Sequence, residues 1–267
     1  MRLLTTIASA LLLASAPITA SASAPQPVNV VLTATPTDTA SMTIYQPENP
    51  TGRMIVMLPG GGYEHLAMQH EGHDWVPFFN EQGIAVAVVK YRMPHGDRSL
   101  PFGDACDAVK YVRSHSKELG INPSDVGLMG FSAGGHLCST VATHAEADAR
   151  PDFHILMYPV VSMERGVTHN GSRDNLLGPK PSQALVADYS NHLRVDSLTP
   201  RAFIALSHDD GAVPAKNSVD YYSALLTNGV PASMHIYPTG GHGWGFRTNF
   251  RYHDRVVDEL RDWLKSF

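Results

Sequence analysis

The sequence predicts an α/β fold: a mainly parallel central sheet flanked by helices, with a small cap insertion. Three observations predict it. Apolar, β-branched runs of strand length recur at 53–58, 84–91, 126–131, 153–161 and 202–210. They are continuous rather than alternating, as strands covered on both faces require. The stretches between most of them carry apolar residues at helical spacing, and strands alternating with helices imply a parallel sheet with helices on both faces. The chain has 267 residues, 43% of them hydrophobic and 17% charged, enough for one large core.

Taken in order, the elements start after a distinct N-terminus. Met1-Arg2 is a short positive start, Leu3 to Pro17 is apolar and small, and Ala20-Ser21-Ala22 and Ala22-Ser23-Ala24 are small-x-small cleavage patterns. Residues 1–24 therefore read as a secretory signal peptide, with residues 25–267 a single secreted or periplasmic domain. Val28 to Leu32 and Ser41 to Tyr45 read as two edge strands around the turn-rich "TATPTDT". "RMIVML" (53–58) is a buried strand ending at Pro59-Gly60-Gly61-Gly62. "HDWVPFFNEQG" (73–83) reads as a helix stopped by glycine, and "IAVAVVKY" (84–91) as a strand. A helix is expected over 103–120, a strand over 126–131 and a helix from Ala133 to His144. After the strand 153–161, residues 162–200 show no strand–helix alternation and read as the cap. A strand at 202–210, a helix at 215–228, a strand at 232–238 and a closing helix at 249–267 complete the chain.

Composition excludes some functions. The formal net charge is −5 and no basic block is present, so no nucleic-acid partner is expected. No apolar run beyond the N-terminus reaches membrane-spanning length, so no membrane partner is expected after cleavage. The two cysteines, Cys106 and Cys138, sit in helix-like apolar surroundings and read as buried thiols rather than a disulfide. Neither has metal-ligand spacing.

In a parallel sheet, reactive groups collect at the carboxyl ends of strands. Four such ends stand out: Gly60-Gly61-Gly62, Gly130-Phe131-Ser132-Ala133-Gly134, Asp209-Asp210 and Gly240-Gly241-His242-Gly243-Trp244. A serine on a sharp strand-to-helix turn presents its oxygen above the sheet, and glycines two residues to either side give it clearance. Ser132 is such a candidate nucleophile, with the alternative that the glycines merely make a turn. A serine hydroxyl needs a base, and the base an orienting carboxylate. His242, in a glycine-lined loop, is the candidate base, and Asp209 and Asp210 are the candidate carboxylates. The backbone N–H groups of the Gly60–Gly62 run and of Ala133 are candidate oxyanion donors.

With these residues in place the sequence resembles the α/β-hydrolase fold, and within it the acetylxylan-esterase-like carbohydrate esterases. The resemblance rests on "MLPGGGY", "HEGHDW", "VVKYRMP", "PFGDACDAVKYVRS", "VGLMGFSAGGHL", "YPVVSM", "HNGSRDNLLG", "DDGAVPAKNS" and "HIYPTGGHGWG", spread over residues 57 to 245. It implies a Ser-His-Asp mechanism on an ester, with Ser132, Asp210 (rather than Asp209) and His242 catalytic and Gly61, Gly62 and Ala133 as the oxyanion hole. Pro59 stands where the hormone-sensitive-lipase pattern has a histidine before its glycines, which turns the resemblance toward the sugar esterases.

The expected substrate is acetylated polysaccharide or oligosaccharide, xylan above all, hydrolysed without metal or cofactor. A feruloyl or general short-chain carboxylesterase is the rival. A serine exopeptidase or a non-catalytic sugar-binding module is further off. Tyr63 and His65 either face the substrate or pack on the cap. Trp244 either stacks on a sugar ring or fills the core. His169 and Arg173, in the cap, either line the pocket or fix the loop.

Overall fold

The computed structural model describes residues 25–35 and 38–267; the segment read as a signal peptide lies outside them. The described strands are β1 (Val28–Ala34), β2 (Thr39–Tyr45), β3 (Met54–Leu58), β4 (Ala85–Lys90), β5 (Val126–Phe131), β6 (Phe153–Met157), β7 (Arg201–Ser207) and β8 (Ala232–Tyr237). They form one eight-stranded sheet in the order β1-β2-β4-β3-β5-β6-β7-β8. β4, β3, β5, β6, β7 and β8 run parallel. β3, β5 and β6 are buried at every position, which is why their sequences run apolar without alternation.

The N-terminal pair differs from expectation. β1 is an edge strand, but β2 lies inside the sheet, antiparallel to both β1 and β4. Its alternate residues Ala40, Met42 and Ile44 are the buried ones, the period-2 pattern of a strand with one covered face.

The helices are α1 (Val76–Asn80), α2 (Ser99–Ser114), α3 (Ser116–Leu119), α4 (Ser132–His144), α5 (Asn170–Leu177), α6 (Gln183–Asp188), α7 (Lys216–Thr227) and α8 (His253–Leu264). The helix expected over 103–120 starts earlier, at Ser99, because Pro101 falls in the first turn, where its missing N–H costs nothing. It also breaks at His115, leaving α3 as a separate turn that ends on left-handed Gly120. The stretch 73–83 holds only a 3₁₀ turn, His73–Trp75, and the short α1. The closing helix begins at His253 rather than 249, after a turn.

The cap is more ordered than its sequence pattern suggests, carrying α5, α6 and the 3₁₀ turn Asn191–Leu193. Polar groups pin it down. Asn191, fully buried, donates from Nδ2 to the carbonyl of His136 and to the Ser139 and Thr140 hydroxyls on α4. Asn217 on α7 accepts the N–H groups of Val161 and Ser162 and donates to the Val167 carbonyl.

What the fold positions is set by the sheet order. The chain adds β4 on one side of β3 and β5 on the other. Such a reversal opens a crevice at the carboxyl ends of the strands, where the glycine run after β3 and Ser132 after β5 meet.

Candidate active site

Ser132 has φ 51°, a left-handed conformation unusual for a residue with a side chain. The neighbouring glycines make that turn fit. A Cβ on Gly130 would lie 2.2 Å from the Gly134 carbonyl oxygen and 2.6 Å from Cys138 Cβ. One on Gly134 would lie 2.1 Å from the Leu58 carbonyl oxygen, at the end of β3. One on Gly60 would lie 2.9 Å from Ser132 Cβ itself. The elbow is thus wedged against the glycine run, and only glycine lets the two backbones approach so closely.

The loops after β7 and β8 bring a base and a carboxylate to this serine. His242 Nε2 lies 2.8 Å from Ser132 Oγ, and its Nδ1 lies 2.7 Å from Asp210 Oδ2. A carboxylate only accepts, so Nδ1 carries the ring proton and Nε2 is bare toward the serine hydroxyl. Asp210 Oδ1 accepts the N–H groups of Ala212 and Val213, which fixes the carboxylate, and its side chain is 1% exposed. Asp209 plays a different part: exposed, it accepts the N–H of Gly241 and so ties down the His242 loop.

Around the glycine run the N–H groups divide. That of Gly60 donates to Glu71 Oε2 at 2.8 Å. Those of Gly61 and Gly62 take no acceptor among the described residues, and neither does that of Ala133 in the first turn of α4, where helix N–H groups lack an intrahelical partner. Positive φ at Gly61 (128°) and Gly62 (69°) shapes the turn, whose Gly61 carbonyl accepts from Glu64 and His65 N–H. Asn175 of α5 donates to the Gly62 carbonyl at 2.9 Å. Among the described residues no group of three or more His, Cys, Asp or Glu is arranged to hold a metal.

The remaining candidates separate. His169 stays at the site: it N-caps α5 by accepting Ser172 N–H at Nδ1, and its ring faces Gly62. Burial lowers its pKa and His242 lowers it further, against the pull of Asp210, which favours the neutral ring; with Nδ1 accepting from Ser172, that form carries its proton on Nε2. His65 is exposed and lines a groove of about 660 Å³ with Leu66, Met68, Met93 and His95, beside the glycine turn.

Tyr63, Arg173 and Trp244 are buried and held by protein partners. Tyr63 is 2% exposed, and its hydroxyl bonds His136 Nδ1 beneath the turn. Arg173 is buried, donating to the Met163 carbonyl and to Asp174, and so fixes the cap loop. Trp244 is buried, stacked on Phe250 at 4.4 Å and in a T-shaped contact with Tyr158 at 4.7 Å, with Nε1 donating to Ser207. Cys106 and Cys138 are separate buried free thiols.

Three residues at the site escape sequence reasoning: Glu71, Tyr158 and Asn175. Each lies inside a run that carries the family resemblance, "HEGHDW", "YPVVSM" and "HNGSRDNLLG", but none has a spacing that announces contact with the site. Glu71, 3% exposed, accepts the Tyr158 hydroxyl at 2.8 Å through Oε1. The Tyr158 ring meets His242 edge-on at 4.9 Å.

Residues 55–246 match a family model described as the alpha/beta hydrolase fold. An acetylxylan esterase of Xylanibacter ruminicola is 48% identical over 231 residues, covering 85% of this chain and 48% of the relative. An endo-1,4-beta-xylanase B of Butyrivibrio fibrisolvens is 31% identical over 204 residues, 71% of this chain and 32% of that protein. The chain thus spans about half the length of the first relative and about a third of the second. Among solved structures, an acetyl ester-xyloside bifunctional hydrolase from Caldicellulosiruptor lactoaceticus superposes with a TM-score of 0.85 at 34% identity, covering 92% of this chain and 98% of that one.

Proposed function

The chain belongs to the alpha/beta hydrolase family, and from that premise we propose that it is an exported serine esterase removing acetyl groups from xylan or related plant polysaccharides. The observation that carries the reading is the continuous hydrogen-bond chain Ser132–His242–Asp210 ending beside three N–H groups that take no acceptor among the described residues. The acetylxylan esterase relative supports the substrate class. The apolar segment and small-x-small patterns of residues 1–24 support export.

The steps follow from the geometry. Ser132 Oγ bonds to the acetyl carbonyl carbon as its proton passes to His242 Nε2, and Asp210 holds the resulting imidazolium. The N–H groups of Gly61, Gly62 and Ala133 receive the oxyanion, aided by the N-terminus of α4. Collapse breaks the bond to the sugar oxygen, which takes the proton from His242. Water then gives its proton to His242 and attacks the acetyl-serine. The second collapse returns the proton from His242 to Ser132 and frees acetic acid, which keeps the second proton of the water and loses it to solvent as acetate.

The test is Ser132→Ala on p-nitrophenyl acetate and on acetylated xylan. Both activities are expected to fall at least 10³-fold, the loss typical of removing a triad member. Near-normal turnover by the variant would overturn the reading. If the wild type acts on p-nitrophenyl acetate but releases no acetate from xylan, a general short-chain carboxylesterase takes its place.

A further inference from the structure

Glu71 is a buried carboxylate that the proposed chemistry leaves unused. It is 3% exposed, yet it stands on no core-facing helix or strand, but in the loop leading to the 3₁₀ turn His73–Trp75. Such a group costs free energy unless its oxygens are met by donors. Among the described residues two hydrogen-bond donors meet it, one from the loop after β3 and one from the residue after β6. The N–H of Gly60, first residue of the glycine run, reaches Oε2 at 2.8 Å. The Tyr158 hydroxyl reaches Oε1 at 2.8 Å.

Tyr158 carries the connection onward. Its hydroxyl oxygen accepts the N–H of Gly245 at 2.9 Å, in the loop that bears His242, while its ring makes a T-shaped contact with the His242 imidazole. Burial, reinforced by the Glu71 carboxylate, pushes the phenol's pKa well up, so the hydroxyl stays a donor to Glu71. The backbone of Tyr158 is held at φ 38°, a second non-glycine residue in left-handed conformation at the end of a sheet strand. Strain of that kind persists only where the surroundings over-determine it, and it clusters at functional sites. The same loop is stitched again by Phe246 N–H donating to the His70 carbonyl, and a Cβ on Gly245 would lie 2.2 Å from that oxygen.

We infer that Glu71 and Tyr158 are positioning residues that set the oxyanion turn and the His242 loop at a fixed separation. The inference rests on the serine-esterase reading. One carboxylate joins the loop after β3 to the residue after β6, and through it to the loop after β8. Neither residue touches the hydroxyl of Ser132 or the three N–H groups directly. Their effect falls on the transition state, where donor and base must both be in register with the reacting carbonyl, and not on the ground-state complex.

Glu71→Gln keeps an oxygen for Gly60 but turns an NH₂ toward Tyr158, whose oxygen already accepts Gly245. Tyr158→Phe keeps the ring against His242 and removes the hydroxyl. Each variant is expected to lower kcat/KM for p-nitrophenyl acetate by about 10²-fold. Each is also expected to raise, by a similar factor, the Ki of a boronic acid that mimics the tetrahedral adduct. The double variant is expected to be no worse than the worse single one, since both cut one chain of contacts.

A loss of folded protein alone lowers activity without moving that Ki. An unchanged Ki in both variants would therefore overturn the inference, as would two effects that simply multiply. Ser132→Ala, assayed beside them, keeps the two claims apart: if it retains activity the esterase reading fails, whereas if it is dead while Glu71→Gln and Tyr158→Phe act normally, only the positioning role fails.

Discussion

The sheet and the cap are held together by different physics. β3, β5 and β6 are buried without a gap, and their stability comes from apolar area removed from water. The cap, residues 162–200, sits on the same core but is fastened by polar groups: Asn191 and Asn217 spanning several backbone partners, Ser190 accepting the Met163 N–H, and Arg173 holding the Met163 carbonyl. Apolar burial is non-directional and tolerates small shifts, whereas a hydrogen bond is lost within an ångström. The scaffold is therefore built to resist unfolding. The cap is built to hold one geometry, and Asn175 and His169 use that geometry at the glycine turn.

The largest expected effect cuts the sheet. Phe203 in β7 is fully buried, stacked on His235 at 4.8 Å and packed against Trp263 of α8 at 5.6 Å. Phe203→Ala should cost about 3–5 kcal/mol of stability. The loss should appear as a lower urea midpoint, while kcat per folded molecule at low temperature stays near wild type. A parallel loss of kcat would mean that sheet packing and site geometry are coupled, and would break the contrast.

That contrast also explains what the sequence made legible. Period and composition report apolar burial, so the sheet strands and the carboxyl-end motifs at Gly60, Ser132 and His242 stood out. The glycines stood out too, because a Cβ at Gly130 or Gly134 has nowhere to go. Polar fastening leaves no period. Asn191, Glu71 and Asn175 look like ordinary surface residues until the fold buries the first two and half-buries the third, and the polar residues among them that fasten the cap left it featureless in the sequence. Tyr63 and Trp244 stayed open between platform and packing for the converse reason: an aromatic beside a site motif suits either, and only the fold shows both supporting the turn and loop. Choosing Asp210 over Asp209 needed the family pattern, since adjacent carboxylates cannot be separated by spacing.

An intermediate effect is set by pH. His136 on α4 is fully buried between the glycine turn and the cap: its Nδ1 accepts the Tyr63 hydroxyl and its Nε2 donates to the Tyr189 carbonyl. Burial, with a small contribution from His144, holds its pKa down at about 4 from the ordinary 6.5. Below 6.5 the unfolded chain binds a proton that the folded one refuses, so this contribution to stability is complete above 6.5 and drains away as pH falls toward 4. The slope from this group is at most about 1.4 kcal/mol per pH unit. His154 in β6, held down to about 3 by burial, acts in the same direction from inside the sheet. Urea titrations at successive pH values should show stability declining below 6.5, and His136→Gln should make that decline shallower. An unchanged slope would remove His136 as its source.

The smallest effect on stability should come from Asn175, and it sharpens the comparison most. Among the described residues its side chain makes one hydrogen bond, reaching from the cap to the Gly62 carbonyl at a partly buried position. Asn175→Ala should cost about 1 kcal/mol, the net worth of an ordinary hydrogen bond. Because that bond fixes the peptide next to a proposed oxyanion donor, kcat/KM should nevertheless fall by about tenfold, a fraction of what an ångström of misplacement costs. Asn175→Asp separates tethering from mere filling of space. It is the same size, but it replaces a donor with an anion facing a carbonyl oxygen, close to where negative charge develops during attack. Its activity should fall below that of Asn175→Ala although its volume is preserved. Were the aspartate variant the more active of the two, the cap would be acting on the site through packing rather than through this bond, and the distinction between the two regions would shrink to one of degree.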